Sequence, residues 1–253
     1  MKITFLGTGT SQGVPLIGCN CIVCSSNNPK EKRLRSSILV EVDDLSIVID
    51  TGPDFRQQML NEKVKKIDAV LFTHEHKDHI AGLDDIRAYN FMHKKKMEIY
   101  ASENVQEALK REFHYIFNSD NYPGIPEINL NNISNEPFFI NGVKIIPILV
   151  YHYKLPVYGF RINDFTYITD SNYISDLEKE KIKGSKVIVL NALRKEKHIS
   201  HFTFNEAIEI MQELKPESGY FTHISHQLGL SDKLEEELPS FIKISFDGLK
   251  IEL

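Results

Sequence analysis

No apolar stretch in this 253-residue chain approaches the ~18 residues that cross a bilayer, so nothing in it marks a membrane span. A basic excess is missing too. Thirty Lys and Arg face 35 Asp and Glu, for a formal charge of −5, which argues against a protein that grips a nucleic-acid backbone. The one basic run, His93-Lys94-Lys95-Lys96, is short enough to be a solvated helix end. The opening apolar run stops at Gly7-Thr8-Gly9, short of the about 7–15 residues of a secretory h-region. A cytoplasmic protein is therefore expected. Cysteine is scarce, and three thiols cannot all pair within one chain. Cys19, Cys21 and Cys24 fall within six positions, a clustering that points to metal in a reducing compartment. Repeats and low-complexity tracts are absent. With 42% hydrophobic residues the chain suits one α/β domain over residues 1–253.

Strand-rich segments lead into helices in both halves. Lys2–Leu6 reads as a strand, followed by a long glycine- and cysteine-rich loop from Gly7 to about Arg35. Ser37–Val42 and Leu45–Ile49 read as strands joined at Asp43-Asp44, then a short helix over about Pro53–Asn61 and a strand Ile67–Phe72. Ile80–Phe91 and Glu103–Glu112 read as helices, and Asn118–Pro137 as a long irregular loop. Two hairpins follow, turning at Asn141-Gly142 and Asn163-Asp164. Ser175-x-x-Glu178 and Thr203-x-x-Glu206 look like capping boxes around a buried strand at Val187–Leu190. Tyr220–Thr222, a helix near Ser231–Leu238 and a hairpin at Asp247-Gly248 complete the reading.

The strongest chemical signal is Thr73-His74-Glu75-His76-Lys77-Asp78-His79, at a strand end. Three imidazoles and a carboxylate this close form the mixed nitrogen and oxygen set that a borderline divalent ion takes. Left without a ligand in the interior, these groups would cost stability. One such motif half-fills two coordination spheres, so further ligands must come from elsewhere. His152, Asp170 and His223 each follow a predicted strand, where an α/β fold places its site.

His-x-His-x-Asp-His, followed by a lone His, an Asp and a final His, resembles the signature of the metallo-β-lactamase-fold hydrolases. The resemblance runs over nearly the whole chain and implies a four-layer αβ/βα sandwich. It implies His74, His76 and His152 on one ion, Asp78, His79 and His223 on the other, and Asp170 bridging. Asp50, in Ile49-Asp50-Thr51-Gly52, would support the site by fixing a ligand imidazole. The loop Phe5-Leu6-Gly7-Thr8-Gly9-Thr10-Ser11-Gln12-Gly13-Val14-Pro15 with its three cysteines closely resembles the PhnP-like cyclic phosphodiesterases of phosphonate degradation. That likeness implies a structural zinc on Cys19, Cys21, Cys24 and His226, pinning a loop of about residues 7–35. Three cysteines and one histidine also make a closed structural set on chemical grounds.

The implied activity is hydrolysis of a small cyclic phosphate, such as phosphoribosyl 1,2-cyclic phosphate, by a hydroxide bridging two Zn or Mn ions. His201, in His198-Ile199-Ser200-His201, matches the family's catalytic histidine and would protonate the leaving oxygen. His198 is a candidate substrate contact. His93 and His114 match nothing and are assigned structural roles. The rival readings are an RNA-directed phosphodiesterase of the tRNA 3′-end type and a non-catalytic binding protein on the same fold. The expected partner is a small phosphodiester, not a membrane or a nucleic acid, and a homodimer is left open.

Overall fold

The computed structural model describes residues 1–118 and 123–253. Strands β1 (Lys2–Gly7), β2 (Ser37–Val42), β3 (Leu45–Ile49), β4 (Ala69–Leu71), β5 (Met97–Ala101) and β6 (Ile128–Asn132) form one mixed sheet. The far end of the chain extends it, because β15 (Lys250–Glu252) pairs antiparallel with β1. The second sheet holds β8 (Val143–His152), β9 (Leu155–Ile162), β10 (Phe165–Tyr167), β12 (Val187–Asn191), β13 (Ser218–Thr222) and β14 (Ile242–Ile244) in that order. On its outer side β7 (Phe138–Ile140) and β11 (Tyr173–Ile174) each pair with β8.

Side-chain alternation makes the sheets stack. In the continuous apolar run of β12, Val187 and Val189 enter the core between the sheets, while Ile188 and Leu190 enter the core under the helices. Strand β4 divides the same way, with Ala69 and Leu71 inward and Val70 toward the helices. Strands buried on both faces need helices outside them. Helices α1 (Phe55–Glu62), α3 (Arg87–His93) and α4 (Glu103–Glu112) cover the first sheet through Phe55, Met59, Tyr89 and Leu109. Helices α6 (Asp176–Ile182), α7 (Phe204–Leu214) and α8 (Ser231–Glu237) cover the second through Ile182, Met211 and Leu234. The result is the four-layer αβ/βα sandwich. Among the described residues no helix is long and apolar enough to cross a membrane.

Three local expectations are corrected. The helix expected over Ile80–Phe91 is divided into α2 (Lys77–Ile80), a 3₁₀ turn at Leu83–Ile86, and α3. The break lies at Gly82, whose N–H donates to the Thr51 carbonyl at 2.8 Å; a Cβ there would come within 2.1 Å of the Gly52 carbonyl oxygen. The supposed irregular loop from Asn118 to Pro137 contains β6, parallel to β5; residues 119–122 of that loop lie outside the described residues. Its asparagines conceal the strand, since Asn129 and Asn131 donate to the Glu98 carboxylate from the neighbouring strand. The short helix α5 (His114–Asn118) precedes that stretch. Finally, Asp247-Gly248 does not close a hairpin. It carries the chain from β14 in one sheet to β15 in the other, and Gly248 N–H donates to Phe5 O at 2.8 Å.

The capping boxes differ. Thr203 and Glu206 cap reciprocally, opening α7. Ser175 caps α6, but the Glu178 carboxylate turns away to accept from Leu149 N–H at 2.9 Å and Asn135 Nδ2 at 2.7 Å.

The crossing at Asp247 fastens the N-terminal loop. Its carboxylate accepts from Thr8 Oγ1 at 2.7 Å and Leu34 N–H at 2.6 Å, and Thr8 Oγ1 accepts from the buried Arg33 guanidinium at 2.8 Å. Burial pushes the Asp247 carboxyl up to about 6, against the pull of its donors and Arg33. A folded-state value above the unfolded ~3.9 means the folded chain holds the proton longer, so this contribution to stability is lost as pH rises from about 4 to 6. Relative to Asp247→Asn, the wild type is expected to lose ~2–3 kcal/mol of unfolding free energy over that window. Denaturant titrations at pH 4 and 7 check it; parallel pH profiles for the two proteins would contradict it.

Candidate metal centre

The site is built from turns that leave the strand ends. Asp50 follows β3, Asp170 lies just beyond β10 and His223 follows β13, and all three have left-handed backbone, with φ of 65°, 49° and 54°. Non-glycine residues adopt this conformation at a cost, and such outliers gather where function holds them. Here the turns bring the Asp170 and His223 side chains together in the cleft, 3.1 Å apart, while Asp50 stays behind the His79 ring. Thr73–His76 leaves β4, and α2 starts at Lys77, putting Asp78 and His79 one turn further on. Gly52 permits the close fit: Thr51 N–H donates to His79 O, and a Cβ on Gly52 would come within 2.1 Å of Asp78 O.

One carboxylate orders two imidazoles. Asp50 is fully buried; its Oδ1 accepts from Thr73 N–H at 2.8 Å, and its Oδ2 accepts from Thr73 Oγ1 at 2.8 Å and His79 Nδ1 at 2.7 Å. Since Thr73 spends its proton on Asp50, its hydroxyl oxygen accepts from His74 Nδ1 at 2.9 Å. His152 Nδ1 donates to Ser200 O at 2.8 Å. In all three rings Nδ1 is thus occupied, leaving Nε2 as the nitrogen with which the ring can bind a cation.

Several ring nitrogens of the cluster lack protein partners. His74 Nε2, His79 Nε2, His201 Nδ1 and both ring nitrogens of His223 are buried without a hydrogen bond. His79 Nε2 stands 3.1 Å from Asp78 Oδ2 and 3.2 Å from Asp170 Oδ2, and His223 Nε2 stands 3.1 Å from Asp170 Oδ1. Nitrogens converging on carboxylate oxygens without hydrogen-bond geometry suit a shared cation better than one another. Asp78, His79, Asp170 and His223 together could hold one ion. His76, exposed, keeps its ring 4.6 Å from His74 and 5.2 Å from His152. His152, Asp170 and His201 form a further group that could hold an ion, so His201 stands nearer the ligand candidates than its assignment as a free acid implies.

The electrostatics follow the same plan. Burial opposes charge on Asp78 and Asp170, but His79 and His223 beside them hold both carboxyls well below the usual carboxylate range. Burial alone would lower His79; Asp78, Asp170 and Asp50 outweigh it and raise it. Burial lowers His74 and His152. His201 is pushed down to about 2 by burial and then by the His223 ring, so it rests neutral.

A second cluster lies nearby in sequence. Cys19 and Cys21 Sγ are each 3.4 Å from His226 Nδ1, and with Cys24 all four ligand atoms lie within 4.8 Å of one another. Leu16 N–H donates to Cys24 Sγ and Cys24 N–H to Cys21 Sγ. The Cys21 thiol is lowered to about 6, chiefly by the Cys24 N–H and then by His226, while burial lifts Cys24 to about 11.

The remaining histidines separate cleanly. His198 is half-buried with its ring 5.0 Å from His201. His93 Nε2 donates to Lys65 O at 2.9 Å, and His114 is exposed. Sequence reasoning missed Thr73 and Ser200, whose roles are hydrogen bonds to ring Nδ1 atoms; Thr73's place directly before His74 at a strand end was the available signal.

A family model described as the beta-lactamase superfamily domain matches residues 46–224. The crystal structure of a new diphosphatase from the PhnP family is 40% identical, with a TM-score of 0.93 over 100% of this chain and 97% of that one. Zn(2+)-bound PqqB from Methylobacterium extorquens, at 19% identity, shares the fold, with a TM-score of 0.82 and full coverage of both chains. A Porphyromonas gingivalis protein named octanoyltransferase is 36% identical over 99% of this chain but 51% of its own length. A Nanoarchaeum equitans ribonuclease Z is 28% identical over 66% of this chain and 55% of its own. The chain thus spans about half the length of the curated relatives it matches. With this fold and this matched segment, the chain belongs to the beta-lactamase superfamily and, within it, to the PhnP family.

Two outcomes are expected. Asp50→Asn places an NH₂ group against the donors Thr73 and His79, so affinity of the cleft for divalent metal should fall about 10–100-fold in chelator competition; unchanged affinity would remove Asp50 from this role. Cys21→Ser should reduce bound zinc by one equivalent and lower Tm, with the metals of the cleft retained.

Proposed function

We propose that the protein is a phosphodiesterase for small cyclic phosphates, using two divalent ions, Zn or Mn, in the cleft. A structural zinc would sit on Cys19, Cys21, Cys24 and His226. The observation that carries the reading is the set of five buried, unpartnered ring nitrogens on His74, His79, His201 and His223, of which His79 Nε2, His201 Nδ1 and His223 Nε2 each lie within 4.0 Å of a carboxylate oxygen of Asp78 or Asp170. His74, His76 and His152 would hold one ion, Asp78, His79 and His223 the other, and Asp170 would reach both. Such a pair supplies an activated water and neutralises charge on the phosphoryl oxygens.

The chain's own residues do the rest. Asp50 and Thr73 keep the His74 and His79 lone pairs aimed inward, and Ser200 O does the same for His152. His201 lies 4.8 Å from His223 and 4.4 Å from His152, ring to ring, at the edge of the cluster. Neutral at rest, its imidazole gains a proton when an anionic phosphodiester enters and offsets the burial that holds it low. It can then protonate the leaving alkoxide. Phosphoribosyl 1,2-cyclic phosphate fits this scheme. The substrate is small, and the cytoplasm is its natural compartment. The ribonuclease Z relatives make RNA the second reading, but the chain's charge of −5 opposes a polyanion. The octanoyltransferase name belongs to a chain about twice as long, and imidazoles with carboxylates, rather than an acyl-accepting thiol, fill the cleft.

Metal-loaded protein should hydrolyse cyclic phosphates and leave tRNA precursors intact; the opposite preference would overturn the reading. His201→Ala should lose about 10²–10⁴-fold on an alkoxide-leaving cyclic substrate and less on a nitrophenolate ester, with metal content unchanged. Loss of metal in that variant would instead make His201 a ligand.

A further inference from the structure

The basic run His93-Lys94-Lys95-Lys96 serves nothing in the cleft, yet the fold sets it beside more cations. It lies at the end of α3, and Lys63, Lys65 and Lys66 follow α1. Tyr89 Oη donates to Val64 O at 3.1 Å and His93 Nε2 donates to Lys65 O at 2.9 Å. These two bonds fasten α3 to the segment that leaves α1. Lys66 and Lys95 share one carboxylate, Asp68, at 2.9 and 3.1 Å, and among the described residues Arg56, Lys63, Lys65, Lys94 and Lys96 pair with none. A chain with a formal charge of −5 thus keeps a patch of uncompensated positive charge.

Between the two helices runs a groove of about 630 Å³. Phe55, Met59, Leu60, Val64, Tyr89 and Met92 line it, with Arg56, Lys63 and Lys65 exposed among them and Asp85 the one acidic residue. Phe55, Met59 and Tyr89 are buried in the core beneath the helices, so the groove has a packed floor. Its upper walls are not covered: Leu60 of α1 is 54% exposed and Met92 of α3 is 56% exposed, and Phe91 beside it is 65% exposed. Exposed apolar side chains scattered singly need no explanation, but a group of them around one groove marks a surface that meets another molecule. The metal centre is elsewhere. Lys63–Lys66 precede β4, whereas Thr73–His76 leave its other end.

We propose that the groove between α1 and α3 docks a partner protein through an amphipathic helix with an acidic flank. Its apolar face would seat between Leu60 and Met92. A helix in a groove is read through apolar anchors at i, i+3 or i+4 and i+7, and α1, eight residues and ~12 Å long, gives two turns of wall for them. Charge decides the flank, because Arg56, Lys63 and Lys65 attract carboxylates and repel a basic partner. The same charges oppose a second copy of this chain, since a two-fold contact sets a patch against itself. A bilayer is met by a protruding apolar face, whereas a concavity receives inserted side chains.

Panning a displayed library of helical peptides of about 16 residues on the metal-loaded protein, with counter-selection on Leu60→Glu, tests the proposal. Enriched peptides should carry Leu, Phe or Met at helical spacing with Asp and Glu beside them. A synthetic copy of the most enriched one should bind the wild type saturably in fluorescence anisotropy. The double variant Lys63→Glu, Lys65→Glu should weaken that binding about tenfold or more. Tm and metal content should stay at wild-type values in both variants, because the substituted side chains are exposed. Enrichment of basic peptides, the lack of a common pattern, or binding that ignores the lysine substitutions would overturn the proposal. Tighter lysine-dependent binding to poly(U) RNA or to phosphatidylserine vesicles than to the peptide would also overturn it. So would sedimentation that finds the wild type dimeric and Leu60→Glu monomeric, which would give the groove to a second copy.

Discussion

Imidazole nitrogens kept from water with no hydrogen-bonding partner are the constraint around which this structure is arranged. His74, His79, His201 and His223 each bury at least one such atom, and a polar group buried unpaired costs on the order of 1–3 kcal/mol. The turns serve this cluster. Asp50, Asp170 and His223 adopt left-handed backbone at three strand ends, and glycines at 52 and 82 let the supporting loops touch backbone to backbone. Each of these features is locally unfavourable, and each becomes intelligible once a cation is allowed to collect the converging lone pairs.

The supporting shell has its own logic. Asp50 does not reach the cleft, yet it determines which nitrogen of His79 directly, and of His74 through Thr73, faces it. A single carboxylate thus sets two tautomers, and the backbone N–H of Thr73 fixes that carboxylate in turn. Geometry is transmitted here by hydrogen bonds a few residues long, running between neighbouring parallel strands.

Much of this was legible in the residues. The His-x-His-x-Asp-His run and the strand-end positions of His152, Asp170 and His223 marked the cluster, because ligand chemistry leaves a compositional trace. Buried strands such as β12 were legible as apolar runs. What escaped had no such trace. Strand β6 is written in asparagines whose side chains satisfy a neighbouring glutamate. The break at Gly82 answers a contact with Gly52, 30 positions earlier. The turn at Asp247-Gly248 has hairpin chemistry, yet it joins two different sheets, a choice made by partners in β1 and β13. Thr73 and Ser200 look ordinary until the rings they orient are in place.

His223 and His226 lie three residues apart, the first in the His and Asp cluster and the second among the cysteines. That spacing makes the two clusters mechanical neighbours. Only Ile224 and Ser225 separate the two rings, and Ile224 is clamped to the start of the cysteine loop by its own N–H, which donates to Thr8 O at 2.9 Å, and by its carbonyl, which accepts from Thr10 N–H at 3.1 Å. A disturbance at the thiols, oxidation above all, has a path of a few covalent and hydrogen bonds to the His223 ring, so the state of the loop and the geometry of the cleft are not independent variables.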